Sequence, residues 1–205
     1  FGLATSPDSV TWTKNAANPV LTPSEDWEEN RLGHPHVIKD GAIYKMWYAP
    51  NDRAVGYATS TDGINWTKYA DNPILEGTPG TWDRDGVGAP FVIKFGPNDY
   101  RMWYQDGNYA KIGYATSSDG INWTKHPDPV LTQGPRDAWD DERTSDPNIL
   151  FDGTTYHMWY TGQDGSTVRV GYASSLDGIN WTKSPNNPLL SAGASGKWDE
   201  FGIGE

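Results

Sequence analysis

The sequence predicts an all-β fold, a β-propeller of four-stranded antiparallel blades with about four units visible, and three observations predict it. All eleven tryptophans fall into three recurring slots. Trp12, Trp66, Trp123 and Trp181 close SVTWTK or GINWTK, Trp27, Trp82, Trp139 and Trp198 open a W-D/E pair, and Trp47, Trp103 and Trp159 sit in MWY. Equivalent tryptophans are 54 to 59 residues apart, a blade-sized period. The segments between them are short apolar runs or alternate with period two, and no stretch has helical period.

Each unit runs in the same order. A W-D/E corner leads into HPHVI, APFVI or DPNIL, the expected innermost strand. AIYKMWYA, DYRMWYQ and TYHMWYT follow as second strands, and VGYATS, IGYATS and VGYASS as third strands. Asp40-Gly41 and Asp152-Gly153 suit tight hairpins between first and second strands. Asp62-Gly63, Asp119-Gly120 and Asp177-Gly178 suit hairpins between third and fourth strands. The expected layout is one incomplete propeller domain over 1–205. It has outer strands of a closing blade at 1–22, blades at 27–76, 82–132 and 139–191, and the inner strand of a further blade at 198–205.

Composition narrows the function. The formal charge of -11, with 27 acids against 16 bases, excludes phosphate-led nucleic-acid binding. No apolar run is long enough to span a bilayer, so no membrane partner is expected. Cysteine is absent, which removes disulfides and thiolate metal sites. No cofactor or metal is expected; an axial calcium stays open, without support from the sequence. The first residues, FGLATSPDS, lack the basic start and apolar stretch of a signal peptide.

The informative positions are those where the units disagree. Eight residues after the corner tryptophan stands a proline, Pro35, Pro90 or Pro147, and the residues before it are His34, Ala89 and Asp146, with Glu205 in the matching position of the last unit. Inner strands line a propeller's channel, so these side chains are expected to meet at the axis. Strand alternation adds His36, Phe91 and Asn148 to the same face. Arg31 and Arg143 stand where the other units carry Gly86 and Gly202, and either arginine beside a channel carboxylate would lower its pKa. Asp140, Asp141 and Glu142 read as a solvated corner rather than a metal site. Asp62, Asp119 and Asp177 read as turn residues, in a phrase similar to the Asp-box of sialidase-type propellers shortened by one residue.

The phrases VGYATSTDGINWTKYADNPIL, IGYATSSDGINWTKHPDPVL and YxMWY resemble the five-bladed propeller glycosidases of family 43 and its relatives in families 32, 62 and 130. The resemblance spans the chain and implies a five-bladed whole of roughly 285 residues at this period, about one and a half blades more than is present. It also implies a glycoside hydrolase acting on arabinose- or xylose-type polysaccharide bonds. Asp146 in SDPNIL would activate water or attack carbon, and Glu205 would protonate the leaving oxygen. His34, His36, Arg143, Asn148, Arg31 and Phe91 are then the expected substrate contacts, carbohydrate is the partner, and the location is secreted or extracellular. Ala89 and His34 depart from the family pattern by leaving two inner strands without an acid.

Two other functions remain in view. One is a non-catalytic extracellular module for glycan binding, or for self-association through open blade edges. The other is a family 130-like phosphorylase using Arg31 and Arg143 for phosphate.

Overall fold

A computed structural model describes residues 1–165, 167–200, 202 and 203. Among these the elements are strands, apart from a single 3-10 turn at Asp26–Glu28. β1 (Ala4–Thr5) and β2 (Thr13–Lys14) form an antiparallel hairpin. The first blade orders β3 (His36–Asp40), β4 (Ile43–Tyr48), β5 (Ala54–Ser60) and β6 (Thr67–Lys68), with β7 (Leu75–Glu76) clipped onto β5. The second orders β8 (Val87–Gly96), β9 (Asp99–Asp106), β10 (Lys111–Ser117) and β11 (Thr124–Lys125), with β12 (Leu131–Thr132) on β10. The third orders β13 (Arg143–Phe151), β14 (Tyr156–Asp164), β15 (Thr167–Ser175) and β16 (Thr182–Lys183). The fold is the all-β propeller architecture that the strand and turn pattern predicts.

The blades are joined by tryptophan. Trp47 of the first blade is fully buried and donates its indole N–H to Gly120 O of the second at 2.8 Å. Trp103 of the second blade does the same to Gly178 O of the third, also at 2.8 Å. Each ring also meets, edge on, the GINW tryptophan of the following blade: Trp47 and Trp123 lie 6.4 Å apart, as do Trp103 and Trp181. An indole buried without an acceptor would cost free energy, so the turn carbonyl fixes where the next blade sits. The equivalent rings are less covered at two places: Trp159 is 37% exposed and Trp12 is 60% exposed.

The turns that supply those carbonyls are held by their own aspartates. Asp119 Oδ1 accepts the backbone N–H groups of Ile121 and Asn122, and Asp62 and Asp177 hold their turns in the same way. Those bonds hold the Asp62 and Asp177 carboxyls well below the usual range. At Gly120 and Gly178 φ is +83° and +79°, values that a side chain resists, and any larger residue would also meet the packed Trp47 or Trp103 ring.

The corner acids are buried as well, and here the expectation of a solvated corner fails for Asp140. Glu28, Asp83 and Asp140 each accept a hydrogen bond from the tyrosine of MWY, namely Tyr48, Tyr104 and Tyr160. Each is also paired with the lysine of WTK, namely Lys68, Lys125 and Lys183, at 2.7, 2.5 and 2.5 Å. Burial works to raise the pKa of Asp83, but the bonds from Lys125, Thr81 and Thr78 outweigh it and hold the group ionised. Glu28 follows the same balance, with Lys68 as its main counterweight. The corner tryptophan lies over the same tyrosine, so one residue set locks the outer strand of each blade to its entry corner.

Candidate functional site

The residues before the three prolines adopt a backbone that L-residues avoid. φ is +47° at His34, +40° at Ala89 and +51° at Asp146. In the second and third blades the ladder is interrupted at this point, between Gly88 and Phe91 and between Ser145 and Asn148. Such a bulge re-aims the side chain and ends regular alternation. The expected alternation from slot to slot-plus-two is therefore broken, yet both positions face one space. A cavity of ≈ 300 Å³ is lined by His34, His36, Ala89, Phe91, Asp146 and Asn148 together with the three prolines. That volume is at the lower end for small-ligand pockets. A second cavity of ≈ 600 Å³ shares Phe91 and continues along the inner strands between apolar walls that include Val92, Ile93 and Leu150.

Asp146 is the best-held group in this space. Its Oδ2 accepts from Arg143 Nη2 at 3.0 Å and from Ser145 Oγ at 2.7 Å, and Arg143 Nε in turn donates to Ser145 Oγ at 2.5 Å. Its backbone N–H donates to Gln105 Oε1 at 3.0 Å. Its Oδ1 is buried and has no hydrogen-bond partner. His34 Nδ1 lies 3.9 Å from that oxygen, and His34 Nε2 lies 3.6 Å from Asp52 Oδ1. At these distances no hydrogen bond forms.

Asp52 joins the site from the loop between β4 and β5, and inner-strand reasoning missed it. Its carboxylate accepts from Gln105 Nε2 at 3.0 Å and from Tyr109 Oη at 2.8 Å. Burial, then the bond to Asp52, pushes the Tyr109 phenol up to about 12, so it stays a donor. The Arg143 guanidinium stands 4.8 Å over the Tyr109 ring. Gln105 therefore ties Asp52 to the backbone of Asp146 and is fully buried. A signal for it existed in the sequence: the residue after MWY is Ala49, Gln105 and Thr161, another position where the units disagree.

The other expected residues divide. His36 lines the cavity, but its Nε2 bonds the Val92 carbonyl at 2.9 Å and its ring lies 4.2 Å from Phe91. Burial pushes its pKa down to about 4 against the effect of that bond. Asn148 is exposed at the cavity wall. Arg31 is exposed and outside the cavity wall, whereas Arg143 reaches Asp146. Glu205 lies outside the described residues. Among the described residues no group of three or more acidic or histidine side chains is arranged to hold a metal ion.

With this fold, the chain is similar to the five-bladed propeller glycosidases and shares their fold. The family profile described as beta-1,4-mannooligosaccharide phosphorylase, Glyco_hydro_130, matches residues 98–192. An uncharacterised protein of Mycobacterium tuberculosis is 28% identical over 185 residues, covering 84% of this chain and 60% of the relative. A beta-1,2-mannobiose phosphorylase of Thermoanaerobacter sp. is 30% identical over 164 residues, covering 66% of this chain and 53% of the relative. A solved structure described as a family 130 glycoside hydrolase that targets β-1,2 mannosidic linkages in Candida mannan is similar with a TM-score of 0.67. It is 21% identical and is covered over 94% of this chain and 62% of its own. The chain thus spans roughly 60% of the length of the relatives it matches. No helix among the described residues is long and apolar enough to cross a membrane.

Proposed function

We propose that the protein cleaves glycosidic bonds in the cavity where the three inner strands converge, with Asp146 as the working carboxylate. The single observation that carries the reading is the asymmetry of that carboxylate. Oδ2 is fixed by Arg143 and Ser145, while Oδ1 is buried, unbonded and part of a side chain on the cavity wall. A buried acceptor without a donor is costly unless a ligand or the reaction supplies one. In this reading Oδ1 takes the proton of the attacking nucleophile or attacks carbon itself. Glu205 remains the proposed proton donor to the leaving oxygen. Asp52, with His34 between it and Asp146, supplies a second carboxylate to the same space.

The substrate we favour is a mannoside, because the family profile and the Thermoanaerobacter relative are both described by activity on mannose-containing sugars. The arabinose or xylose reading has no such support. Action on a polysaccharide fits a secreted location. A second reading, phosphorolysis, draws on the profile match over residues 98–192 and on Arg143 at the site.

The test is a panel of aryl β-mannosides, β-1,2- and β-1,4-mannobiose, arabinosides and xylosides, each assayed with and without inorganic phosphate. Cleavage that Asp146→Asn abolishes, with the fold intact by circular dichroism, supports the reading, and phosphate dependence selects the phosphorylase. Sugar binding without cleavage of any panel member would replace it with the non-catalytic module.

A further inference from the structure

Gln105 touches both acids of the site and belongs to the blade of neither. It stands near the end of β9 in the second blade, directly opposite Gly88 on the β8–β9 ladder, and is fully buried. Asp52 comes from the first blade and lies over Gly88, where a side chain would take its place. Asp146 comes from the inner strand of the third.

The amide can be oriented in only one way. The Asp146 N–H is a donor, so it takes Oε1 at 3.0 Å, which leaves Nε2 to donate to Asp52 Oδ1, also at 3.0 Å. A second limb closes the circuit. Tyr109 donates to Asp52 Oδ2, the Arg143 guanidinium lies over the Tyr109 ring, and Arg143 donates to Asp146 Oδ2. Asp52, Gln105, Asp146, Arg143 and Tyr109 thus form one ring of contacts across three blades.

The blade itself does not ask for this amide, since Ala49 and Thr161 fill the same place in the first and third blades. Nor does the strained backbone before the proline. Ala89 holds φ +40° with Ala49 in the corresponding position of the preceding blade, as Asp146 holds φ +51° with Gln105 there. Burying a carboxamide costs free energy that alanine avoids, and what the amide adds is a fixed span between the two carboxylates.

We propose, on the reading of Asp146 as the working carboxylate, that Gln105 is a positioning residue: it sets the separation of Asp52 and Asp146 across the cavity, so that a sugar meets the two carboxylates as one unit. The charged and titratable groups around this point come from all three blades. His34 Nε2 lies 3.6 Å from the Asp52 oxygen that Gln105 bonds, and Tyr109 and Arg143 form the second limb. Asp106, next in sequence, turns away to the N–H groups of Ala110 and Lys111.

Two variants of similar size separate the two bonds. Gln105→Met removes both. Gln105→Glu keeps an acceptor for the Asp146 N–H but replaces the donor to Asp52 with an acid, and carboxyls so close must share a proton to stay together. The span then survives in acid and is lost as the pH rises. The measurement is kcat and KM from about pH 5 to about pH 8, with whichever sugar of the panel the unmodified protein cleaves. Gln105→Met should lower kcat about a hundredfold throughout, with KM changed by about threefold or less. Gln105→Glu should work within about threefold of the unmodified protein at the acid end and fall to about the level of Gln105→Met at the alkaline end.

A residue that served folding alone would lower stability and leave the kcat of the folded protein and the shape of its pH profile unchanged. Urea unfolding over the same range is the second readout. Folded Gln105→Glu holds a proton that its unfolded chain has released, so its stability relative to the unmodified protein should fall as the pH rises. A kcat for Gln105→Met within about threefold of the unmodified value, or Gln105→Glu profiles parallel to the unmodified ones, would overturn the proposal while Asp146→Asn is inactive. Cleavage retained in Asp146→Asn, or no cleavage of any panel sugar, overturns instead the reading of Asp146, and the role of Gln105 with it.

Discussion

Gly88 lies directly beneath the carboxylate of Asp52. A Cβ built at Gly88 would overlap Asp52 Oδ1 and stand 2.9 Å from its Cα. The loop that carries Asp52 also closes over Gly86, whose φ of +137° a side chain would not adopt. Two glycines of the second blade thus make room for an acid of the first. Gly88→Ala is expected to push Asp52 off Gln105 and Tyr109, to lower cleavage by about a hundredfold, and to cost about 1–3 kcal/mol of stability. Steady-state kinetics and urea unfolding read the two effects separately. Unchanged kinetics with lowered stability would remove Asp52 from the working site.

Asp146→Asn tests the carboxylate with little disturbance to the backbone. Asn tolerates the left-handed conformation that Asp146 holds at φ +51°, so the bulge survives the change. The amide keeps the shape but loses the charge that faces Arg143. Turnover is expected to fall by about 10²–10⁴-fold, with a stability loss of about 1–3 kcal/mol from the weakened bond to Arg143. Asp146→Ala should unfold more easily than Asp146→Asn, because alanine also resists the positive φ. Comparing melting temperatures and kcat for the two variants separates strain from chemistry.

The corner acids make a separate prediction about stability. Asp83 is buried, and Lys125 is its cation. Lys125→Met removes that charge and leaves the carboxylate unpaired, at a cost of about 3–5 kcal/mol near neutral pH. The pH dependence should also become shallower. In the unmodified protein the pKa of Asp83 is lowered on folding, so its contribution is present above the unfolded value and lost as pH falls through the folded one. In Lys125→Met burial loses its largest counterweight while the bonds from Thr81 and Thr78 remain, so the folded pKa rises and the variant loses less stability than the unmodified protein on acidification. Urea unfolding at a series of pH values checks this, and parallel pH profiles for the two proteins would contradict it.

How much of this was legible in the sequence follows from what each residue depends on. The blades were legible because hairpin glycines and alternating strands act locally, and the tryptophan spacing marks equivalent positions. Convergence of His34, Asp146 and Phe91 on one cavity was legible because inner-strand slots face the axis whatever they carry. Asp52 was not, because it enters from a loop whose length differs between units, so no shared register marks it. Asp140 was misread as solvated because its burial depends on Lys183, 43 residues further on, and on Tyr160 across the blade. The use made of Arg143 was half visible: its neighbourhood with Asp146 followed from sequence, its bond through Ser145 did not.

His36 gives the protein a defined sensitivity to acid. The imidazole is half-buried between Phe91 and the Val92 carbonyl, and burial brings its pKa from 6.5 down to about 4. A histidine held neutral on folding contributes fully above its unfolded pKa. The contribution is lost as pH falls from about 6.5 towards about 4, because over that window the unfolded chain binds a proton that the folded chain refuses. The loss is on the order of 2–3 kcal/mol across the window. His36→Gln keeps a donor for Val92 O and cannot titrate, so its stability should vary less over the same interval. Unfolding free energies at pH 7, 5.5 and 4.5, roughly spanning that window, should therefore diverge between the two proteins as the solution becomes acidic. Equal slopes would mean that the His36 ring is not held neutral. Because His36 also lines the cavity, the same series run with a bound sugar asks whether a ligand excludes the proton. If it does, the sugar stabilises the unmodified protein less at about pH 4 than at pH 7, while His36→Gln gains equally at both.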